Sequence, residues 1–149
     1  NGVFQKLNHS KLRERSGAYP LELTYRLINM FSVQGDVVLD PFLGTGTTTL
    51  GAMASGRNSI GYEIDNNFKE FIEDRINSMK NIVEEYVADR LERHKIFIKK
   101  RQEEDKEIKY INKNYNFPVV TNQETNLQIP KIKQTIKKSE NLFEVEHLF

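Results

Sequence analysis

Residues 37–65 read VVLDPFLGTGTTTLGAMASGRNSIGYEID, and this stretch decides the fold. The apolar run at 37–39 predicts a short, buried parallel strand. The segment TTTLGAMASG, which follows a glycine-containing turn, predicts a helix with Gly56 as its C-terminal cap. NSIGYEID predicts a second strand. A strand–turn–helix–strand order predicts two parallel strands joined by a right-handed crossover, so the expected class is α/β.

The flanking segments both predict helices. Between residues 21 and 32, Leu23, Leu27, Ile28 and Phe31 recur at helical spacing, and Pro20 suits the first turn. Residues 67 to about 105 predict one long helix or two in tandem. Its apolar stripe consists of Phe68, Ile72, Ile76, Met79, Val83, Tyr86 and Val87.

The distribution of glycine divides the chain. All eight glycines precede residue 62, which places the tight turns in the first part. We therefore expect residues 1–90 to hold the α/β part, and residues 91–149 to form a helical and irregular C-terminal extension. Within the extension NFPVVT, at 116–121, can form a strand with Pro118 at its start or on an edge.

The composition excludes several kinds of site. The chain has 149 residues and no cysteine, so it has no disulfide framework or thiol nucleophile. His9, His94 and His147 lack metal-ligand spacing, and we expect no metal site. No segment approaches the roughly 20 apolar residues of a membrane span. The N-terminal residues lack the apolar centre of a signal peptide, so we expect a cytoplasmic protein. The net charge of +1 neither indicates nor excludes a nucleic-acid partner.

Three interpretations compete for the turn DPFLGTGTTTL. A phosphate-binding P-loop needs a Lys directly after its last glycine, and Thr47 stands there. A dinucleotide-binding turn, G-x-G-x-x-G, has its third position occupied by Thr49, and Pro41 departs from the usual pattern. The third interpretation is an S-adenosylmethionine site, in which the same strand–turn–helix unit binds a different ligand.

The turn offers several groups to such a cofactor. Gly44 and Gly46 let the backbone pass beneath a ligand without a Cβ in the way. The helix beginning near Thr47 directs free N–H groups at the loop, where they can bind the methionine carboxylate. Thr45, Thr47 and Thr48 add hydroxyl groups, one of which we expect to cap the helix.

Two acidic residues stand at the ends of the predicted strands. Asp40 ends the first strand, where it can accept a hydrogen bond from the cofactor's amino group. Glu63 ends the second strand, where a carboxylate can bind both ribose hydroxyls. Ile64 follows Glu63 and can lie against the adenine.

VLDPFLGTGTT followed by SGRNSIGYEID closely resembles motifs I and II of the amino-methylating DNA methyltransferases of restriction–modification systems. The order of motifs looks like the permuted β-type subgroup, in which motif X lies just upstream of motif I. SGAYPLELTYRLINMFSVQGD occupies that place here, although Ser16 and Gly17 depart from the His-Pro of many members. The resemblance implies a partial Rossmann-like S-adenosylmethionine-dependent methyltransferase fold and an intracellular, prokaryotic enzyme. The cofactor-binding residues expected from the turn and from this resemblance are Tyr19, Pro20, Asp40, Pro41, Phe42, Gly44, Thr45, Gly46, Thr47, Thr48, Glu63 and Ile64.

The catalytic motif of that family is absent from this sequence. The resemblance implies a [DNS]-P-P-[YFW] tetrapeptide that holds the amino group of a flipped adenine or cytosine. The four prolines are never adjacent, so the tetrapeptide is not in this chain. In the permuted subgroup it would precede motif X. We therefore expect a C-terminal fragment, a truncated gene product or one subunit of a split enzyme, which acts on double-stranded DNA with the missing N-terminal half and is inactive alone.

Two other functions are left open by the residues. One is a fragment of a nicotinamide-dependent oxidoreductase, which would use the same crossover unit. The other is a non-enzymatic helical interaction module built on residues 67–105. The basic clusters at 99–101 and 137–138 could contact phosphates in a complete enzyme, although a solvated surface is the favoured interpretation. The target base, adenine N6 or cytosine N4, is not readable from these residues.

Overall fold

The computed structural model of the chain describes residues 19–149. These residues fall into two units, the first ending at Val83 and including Pro130–Leu148, the second comprising Glu84–Ile129 and Phe149. The helices are α1 (Leu21–Phe31), α2 (Thr47–Ser55) and α3 (Phe68–Glu103), with a 3₁₀ turn at Asn122–Asn126. The strands are β1 (Val37–Asp40), β2 (Asn58–Gly61), β3 (Tyr110–Asn112), β4 (Phe117–Val119), β5 (Lys131–Ser139) and β6 (Leu142–Leu148).

The predicted crossover unit is present as β1–α2–β2. The two strands are parallel and pair Leu39 with Ile60 and Asp40 with Gly61. Gly56 caps α2 with a left-handed φ of 70°, and the amide of Arg57 bonds the Ala52 carbonyl at 2.9 Å, a Schellman-type ending. The predictions of a parallel pair and of a Gly56 cap are therefore confirmed.

Helix α1 packs closely on α2. Its buried residues Leu21, Thr24, Tyr25 and Ile28 follow helical spacing. Gly51 of α2 permits the approach, because a Cβ there would come within 2.9 Å of the Thr24 side chain. The absence of a side chain at position 51 thus permits the short distance between the two helices.

The exposed face of α1 differs from what the sequence predicted. Three of the residues whose spacing predicted the helix lie on the exposed side: Leu23, Leu27 and Phe31 are 48%, 46% and 79% exposed. Pro20 is also the N-cap residue and not part of the first turn. The helix was predicted correctly, but only Ile28 of its predicted stripe is buried among the described residues.

The strand pair is likewise less buried than its apolar run predicted. The register places Leu39 beside Ile60 on one face of the sheet, with Val37 two residues before Leu39 on the same face. These three side chains are 61%, 50% and 60% exposed. One face of β1–β2 is therefore apolar and uncovered by the described residues.

The β5–β6 hairpin also belongs to the first unit. The strands are antiparallel, and Ile132 is almost fully buried. His147 donates a hydrogen bond from Nε2 to the Met53 carbonyl at 2.7 Å, which ties β6 to α2. Lys137 pairs with Glu73 of α3 at 2.6 Å. The hairpin thus packs beside the crossover unit although it lies far away in sequence.

The second unit contains a small antiparallel hairpin, β3–β4, organised by a buried asparagine. Asn112 donates from Nδ2 to the carbonyls of Glu124 at 2.6 Å and Leu127 at 3.0 Å. Its Oδ1 accepts the backbone N–H groups of Asn114 and Tyr115, both at 2.9 Å. One side chain therefore closes both the hairpin turn and the 3₁₀ segment.

The structure after α3 differs from the expected helical and irregular extension. The long helix is present, but the described chain beyond Glu103 forms two β-hairpins and a 3₁₀ turn. The strand predicted within NFPVVT is confirmed as β4, and Pro118 pairs across a two-stranded sheet, where both strands are edges. Among residues 19–149, no helix is both long and apolar enough to cross a membrane.

Candidate cofactor-binding site

The site is built on the loop between β1 and α2. Asp40 ends β1, and its Oδ1 accepts the backbone N–H of Phe42 at 3.0 Å. Gly44 and Gly46 have left-handed φ values of 52° and 76°, which only glycine adopts without strain. The Gly46 amide closes the turn on the Leu43 carbonyl at 2.9 Å. The two predicted glycines therefore shape this turn.

The prediction that a threonine caps α2 was wrong. Gly46 occupies the N-cap position, and no side chain among the described residues caps the helix. A left-handed N-cap glycine has no side chain to turn back on the first amides. Leu50 is the first residue of α2 with a backbone bond to the loop, from its N–H to the Gly46 carbonyl at 3.1 Å. The helix start is left open towards the loop.

The three threonines are buried and bonded to other groups. Thr45 and Thr47 share a hydrogen bond between their hydroxyls at 3.1 Å. Thr48 shares one with the phenol of Tyr19 at 2.7 Å. Tyr19, expected at the site from its place before α1, is thus brought to the start of α2, 29 residues away. Ser16, Gly17 and Ala18 of the same segment lie outside the described residues.

Glu63 joins the end of β2 to the glycine turn. Its Oε2 accepts the Gly44 N–H at 2.7 Å, and its Oε1 accepts the Asp65 N–H at 2.8 Å. The Leu43 N–H bonds the Tyr62 carbonyl at 2.8 Å, which holds the two loops side by side. Each carboxylate oxygen has a further lone pair, so Glu63 can accept hydrogen bonds from a ligand as well.

Four predicted residues stand at the surface. Phe42 and Ile64 are 88% and 99% exposed, so neither packs against the described residues. Pro20 and Pro41 are also exposed. The structure therefore brings Tyr19, the threonines, Gly44 and Glu63 into direct contact around the turn. The apolar candidates Phe42 and Ile64 are exposed and can contact another molecule.

A wide cleft of about 1160 Å³ lies beside this region. Its lining includes Leu43, Glu63 and Asp65, and it extends along β2 to the β5–β6 hairpin. Gly44 and Gly46 do not line it. The cleft and the glycine turn are therefore neighbouring features that share Glu63.

Arg75 of α3 is a site residue that the sequence did not reveal. Its Nη1 donates to the Thr45 carbonyl at 2.5 Å and to the Thr47 hydroxyl at 3.2 Å. Nothing in IEDRINSM distinguishes this arginine from the other charged residues of a long helix. Only the contact with the loop, about 30 residues earlier, identifies it.

The sequence matches known methyltransferases. Residues 2–74 match the family described as DNA methylase. The type II methyltransferase M.MthZI of Methanothermobacter thermautotrophicus is 51% identical over 141 residues, which cover 93% of this chain and 38% of that protein. M.MjaI of Methanocaldococcus jannaschii, also a type II methyltransferase, is 54% identical over 74 residues, 50% of this chain and 24% of that protein. The chain thus spans less than two fifths of either relative.

Two solved structures are similar to part of the chain. A putative DNA modification methylase of Thermus thermophilus, in complex with S-adenosyl-L-methionine, is 46% identical, covering 41% of this chain and 26% of that one, with a TM-score of 0.40. The M1.HpyAVI–SAM complex is 32% identical, covering 49% of this chain and 34% of that one, with a TM-score of 0.43. The match of residues 2–74 to the DNA methylase family and the identities to M.MthZI and M.MjaI confirm the resemblance of this chain to part of a restriction–modification DNA amino-methyltransferase.

Proposed function

We propose that the chain is the S-adenosylmethionine-binding part of a DNA methyltransferase that methylates the exocyclic amino group of adenine (N6) or cytosine (N4). The observation that carries the proposal is the bond between Glu63 and the Gly44 amide, 2.7 Å long. It joins the acid at the end of β2 to the turn before α2, the two points that bind the ribose and the anionic end of a nucleotide-like cofactor in this fold.

The residues around the turn fit the cofactor group by group. The open start of α2, with no side-chain cap, suits the methionine carboxylate, because the first helical amides carry a partial positive charge. Glu63 has lone pairs left for the ribose hydroxyls. Exposed Phe42 and Ile64 can contact the adenine. When bound, S-adenosylmethionine supplies the methyl group that is transferred.

Tyr19 and Asp40 would orient the same ligand from either side. The Tyr19–Thr48 bond fixes the chain before α1 against the start of α2. Asp40 uses one oxygen for the Phe42 amide and keeps the other for the amino group of the methionine part. Pro20 and Pro41 would shape the chain that carries these two side chains.

Methyl transfer needs a partner in this proposal. The chain contains no adjacent prolines, and so no [DNS]-P-P-[YFW] motif. Two uncovered apolar surfaces support a complementary part: the β1–β2 face with Val37, Leu39 and Ile60, and the α1 stripe with Leu27 and Phe31. Exposed apolar surfaces of this extent are typical of interfaces. The occupant we propose is the catalytic N-terminal half of such an enzyme, which brings double-stranded DNA to the cofactor in the prokaryotic cytoplasm.

Titration of the chain with S-adenosylhomocysteine and, separately, NAD tests the cofactor assignment. Protein-observed NMR suits this measurement because it follows weak binding. We expect shifts at the 40–48 loop and at Glu63 with S-adenosylhomocysteine. Glu63→Ala should weaken binding by roughly 1–3 kcal/mol, the cost of leaving buried partners unpaired. The exposed Glu70→Ala of α3 is the matched control, with no expected effect. Tighter binding of NAD would overturn the assignment.

A further inference from the structure

Arg75 contacts both ends of the threonine segment in the glycine loop. The same nitrogen, Nη1, donates to the Thr45 carbonyl at 2.5 Å and to the Thr47 hydroxyl at 3.2 Å. Both threonines are almost fully buried, at 4% and 2% exposed. One guanidinium from a distant helix therefore fixes a backbone carbonyl before Gly46 and a side chain after it.

The charge of Arg75 is not neutralised by an acid. No carboxylate of residues 19–149 forms an ion pair with it, and its guanidinium lies 5.6 Å from the centre of the Phe71 ring. Burial lowers the pKa of Arg75, yet an arginine remains charged at neutral pH. Arg93, farther along α3, pairs with Asp89 at 2.7 Å and is largely exposed. Arg75 thus places behind the loop a positive charge that has no ion-pair partner among residues 19–149.

The loop is also held by groups other than Arg75. Glu63 accepts the Gly44 amide at 2.7 Å. Ile72, one turn before Arg75, lies against Gly46, where a Cβ would be only 3.2 Å from its Cγ2. Since these contacts already secure the turn, the specific contribution of Arg75 is to orient the Thr45 carbonyl and to supply charge.

We propose that Arg75 is a positioning residue that holds the Thr45 carbonyl away from the ligand and makes the loop attractive to the carboxylate of the cofactor's methionine part. This inference rests on the proposed function. A carbonyl turned towards a carboxylate would repel it, and a positive charge behind the loop adds to the partial charge at the start of α2. The effect is confined to the anionic end of the ligand, because ribose binding belongs to Glu63.

Two ligands separate this role from a general effect on the fold. S-Adenosylhomocysteine carries the amino-acid carboxylate, whereas 5′-methylthioadenosine keeps the adenine and ribose but lacks it. For Arg75→Met in the full chain, we expect the Kd for S-adenosylhomocysteine to rise about tenfold, because the carboxylate then meets a loop that has lost a nearby positive charge. The Kd for 5′-methylthioadenosine should change by less than about threefold. Arg93→Met is the control and should change neither.

Arg75→Lys is the second variant, and it serves if Arg75→Met does not fold. Lysine keeps the charge but not the planar fork, so we expect it to recover part of the S-adenosylhomocysteine affinity. Equal loss of both ligands in either folded variant, or no loss of S-adenosylhomocysteine, would overturn the role of Arg75. Failure of the unmutated chain to bind either ligand would instead refute the proposed function, so the two failures are distinguishable.

Discussion

Substitution of Gly46 by alanine should destabilise the first unit through two separate effects. The first is backbone strain, because Gly46 has a φ of 76°. The second is crowding, because the new Cβ would lie 3.2 Å from Cγ2 and 3.3 Å from Cγ1 of Ile72. Gly35 has a similar φ of 87° but nothing within 4 Å of its hypothetical Cβ. Gly35→Ala is therefore a control for strain alone.

The two effects give different magnitudes. The left-handed conformation costs an alanine roughly 1–2 kcal/mol, and this term applies at both positions. Crowding in a packed site adds about 1–3 kcal/mol, and it applies only at Gly46. The lower entropy of the unfolded alanine chain offsets both substitutions equally. We expect Gly46→Ala to lower the free energy of unfolding by about 1–3 kcal/mol more than Gly35→Ala.

Urea unfolding followed by far-UV circular dichroism measures this difference, with amide exchange at Leu50 reporting the first unit alone. Ile72→Ala removes both contacting carbons. In that background Gly46→Ala should cost only the strain term, so the coupling energy between the two positions should equal the crowding term of about 1–3 kcal/mol. Equal destabilisation by Gly46→Ala and Gly35→Ala, or additive effects of the double substitution, would refute the reasoning.

Three further substitutions test other parts of the structure. Phe31→Asp should change the free energy of unfolding of the chain by less than about 0.5 kcal/mol while preventing association with a catalytic half. Ile28→Asp, at a buried position of the same helix, should unfold the chain; thermal melts with size-exclusion chromatography measure both effects. Asn112→Ala should destabilise the second unit by about 3 kcal/mol, because four hydrogen bonds of the Asn112 side chain are lost. Unchanged protection of the β3–β4 amides from hydrogen exchange would contradict this expectation. Burial raises the pKa of Glu124, but the hydrogen bonds from Thr121 and the other polar and charged groups around it together lower the pKa below its ordinary value. The stabilisation from Glu124 is therefore present above the ordinary glutamate pKa and is lost as the pH falls through the lowered one. Glu124→Gln should make the acid loss of stability shallower, and an unchanged profile would exclude this contribution.

The sequence predicted those helices, strands and caps that are determined by residues close together in the chain. The stripe of α3 and the capping glycine at 56 both depend on residues close in sequence, and the structure has the helix at Phe68–Glu103 and the cap as expected. The parallel pairing of β1 and β2 also followed from the order of the elements. In each case the determining residues are contained in one short segment.

Features that depend on distant partners were not predictable. The spacing of α1 did not show which face would be buried, because Thr24 and Ile28 lie next to Gly51 of α2 while Leu27 is exposed. Strand β5 was not predicted, because its sequence is rich in lysine and polar residues; in the structure Lys133 pairs with Glu146 of β6 at 3.0 Å. Such matching is visible only after the hairpin is formed.

The same distinction applies to the site. The roles of Gly44 and Gly46 in the turn were readable, because the positive φ values they adopt favour glycine. The prediction of a threonine cap was wrong because Gly46 itself occupies the N-cap position. Arg75 was not predicted as a site residue because the loop that it contacts lies about 30 residues earlier in the sequence. Whether the predicted residues bind the cofactor stays a prediction.

Complementation with a relative tests the central claim most directly. M.MthZI is 51% identical over most of this chain, so the surfaces that meet its unmatched part should be largely preserved. The unmatched part would be produced together with this chain and supplied with tritiated S-adenosylmethionine and DNA. Mass spectrometry of the digested DNA would then identify N6-methyladenine or N4-methylcytosine.

The account predicts methyl transfer by the complemented pair, none by either part alone, and a large loss with Glu63→Ala in this chain. Gly35→Ala, which lies away from the turn, would serve as the control. Methylation by the chain alone would contradict the account. So would a folded, associated pair that transfers no methyl group to DNA, or one whose activity does not depend on Glu63.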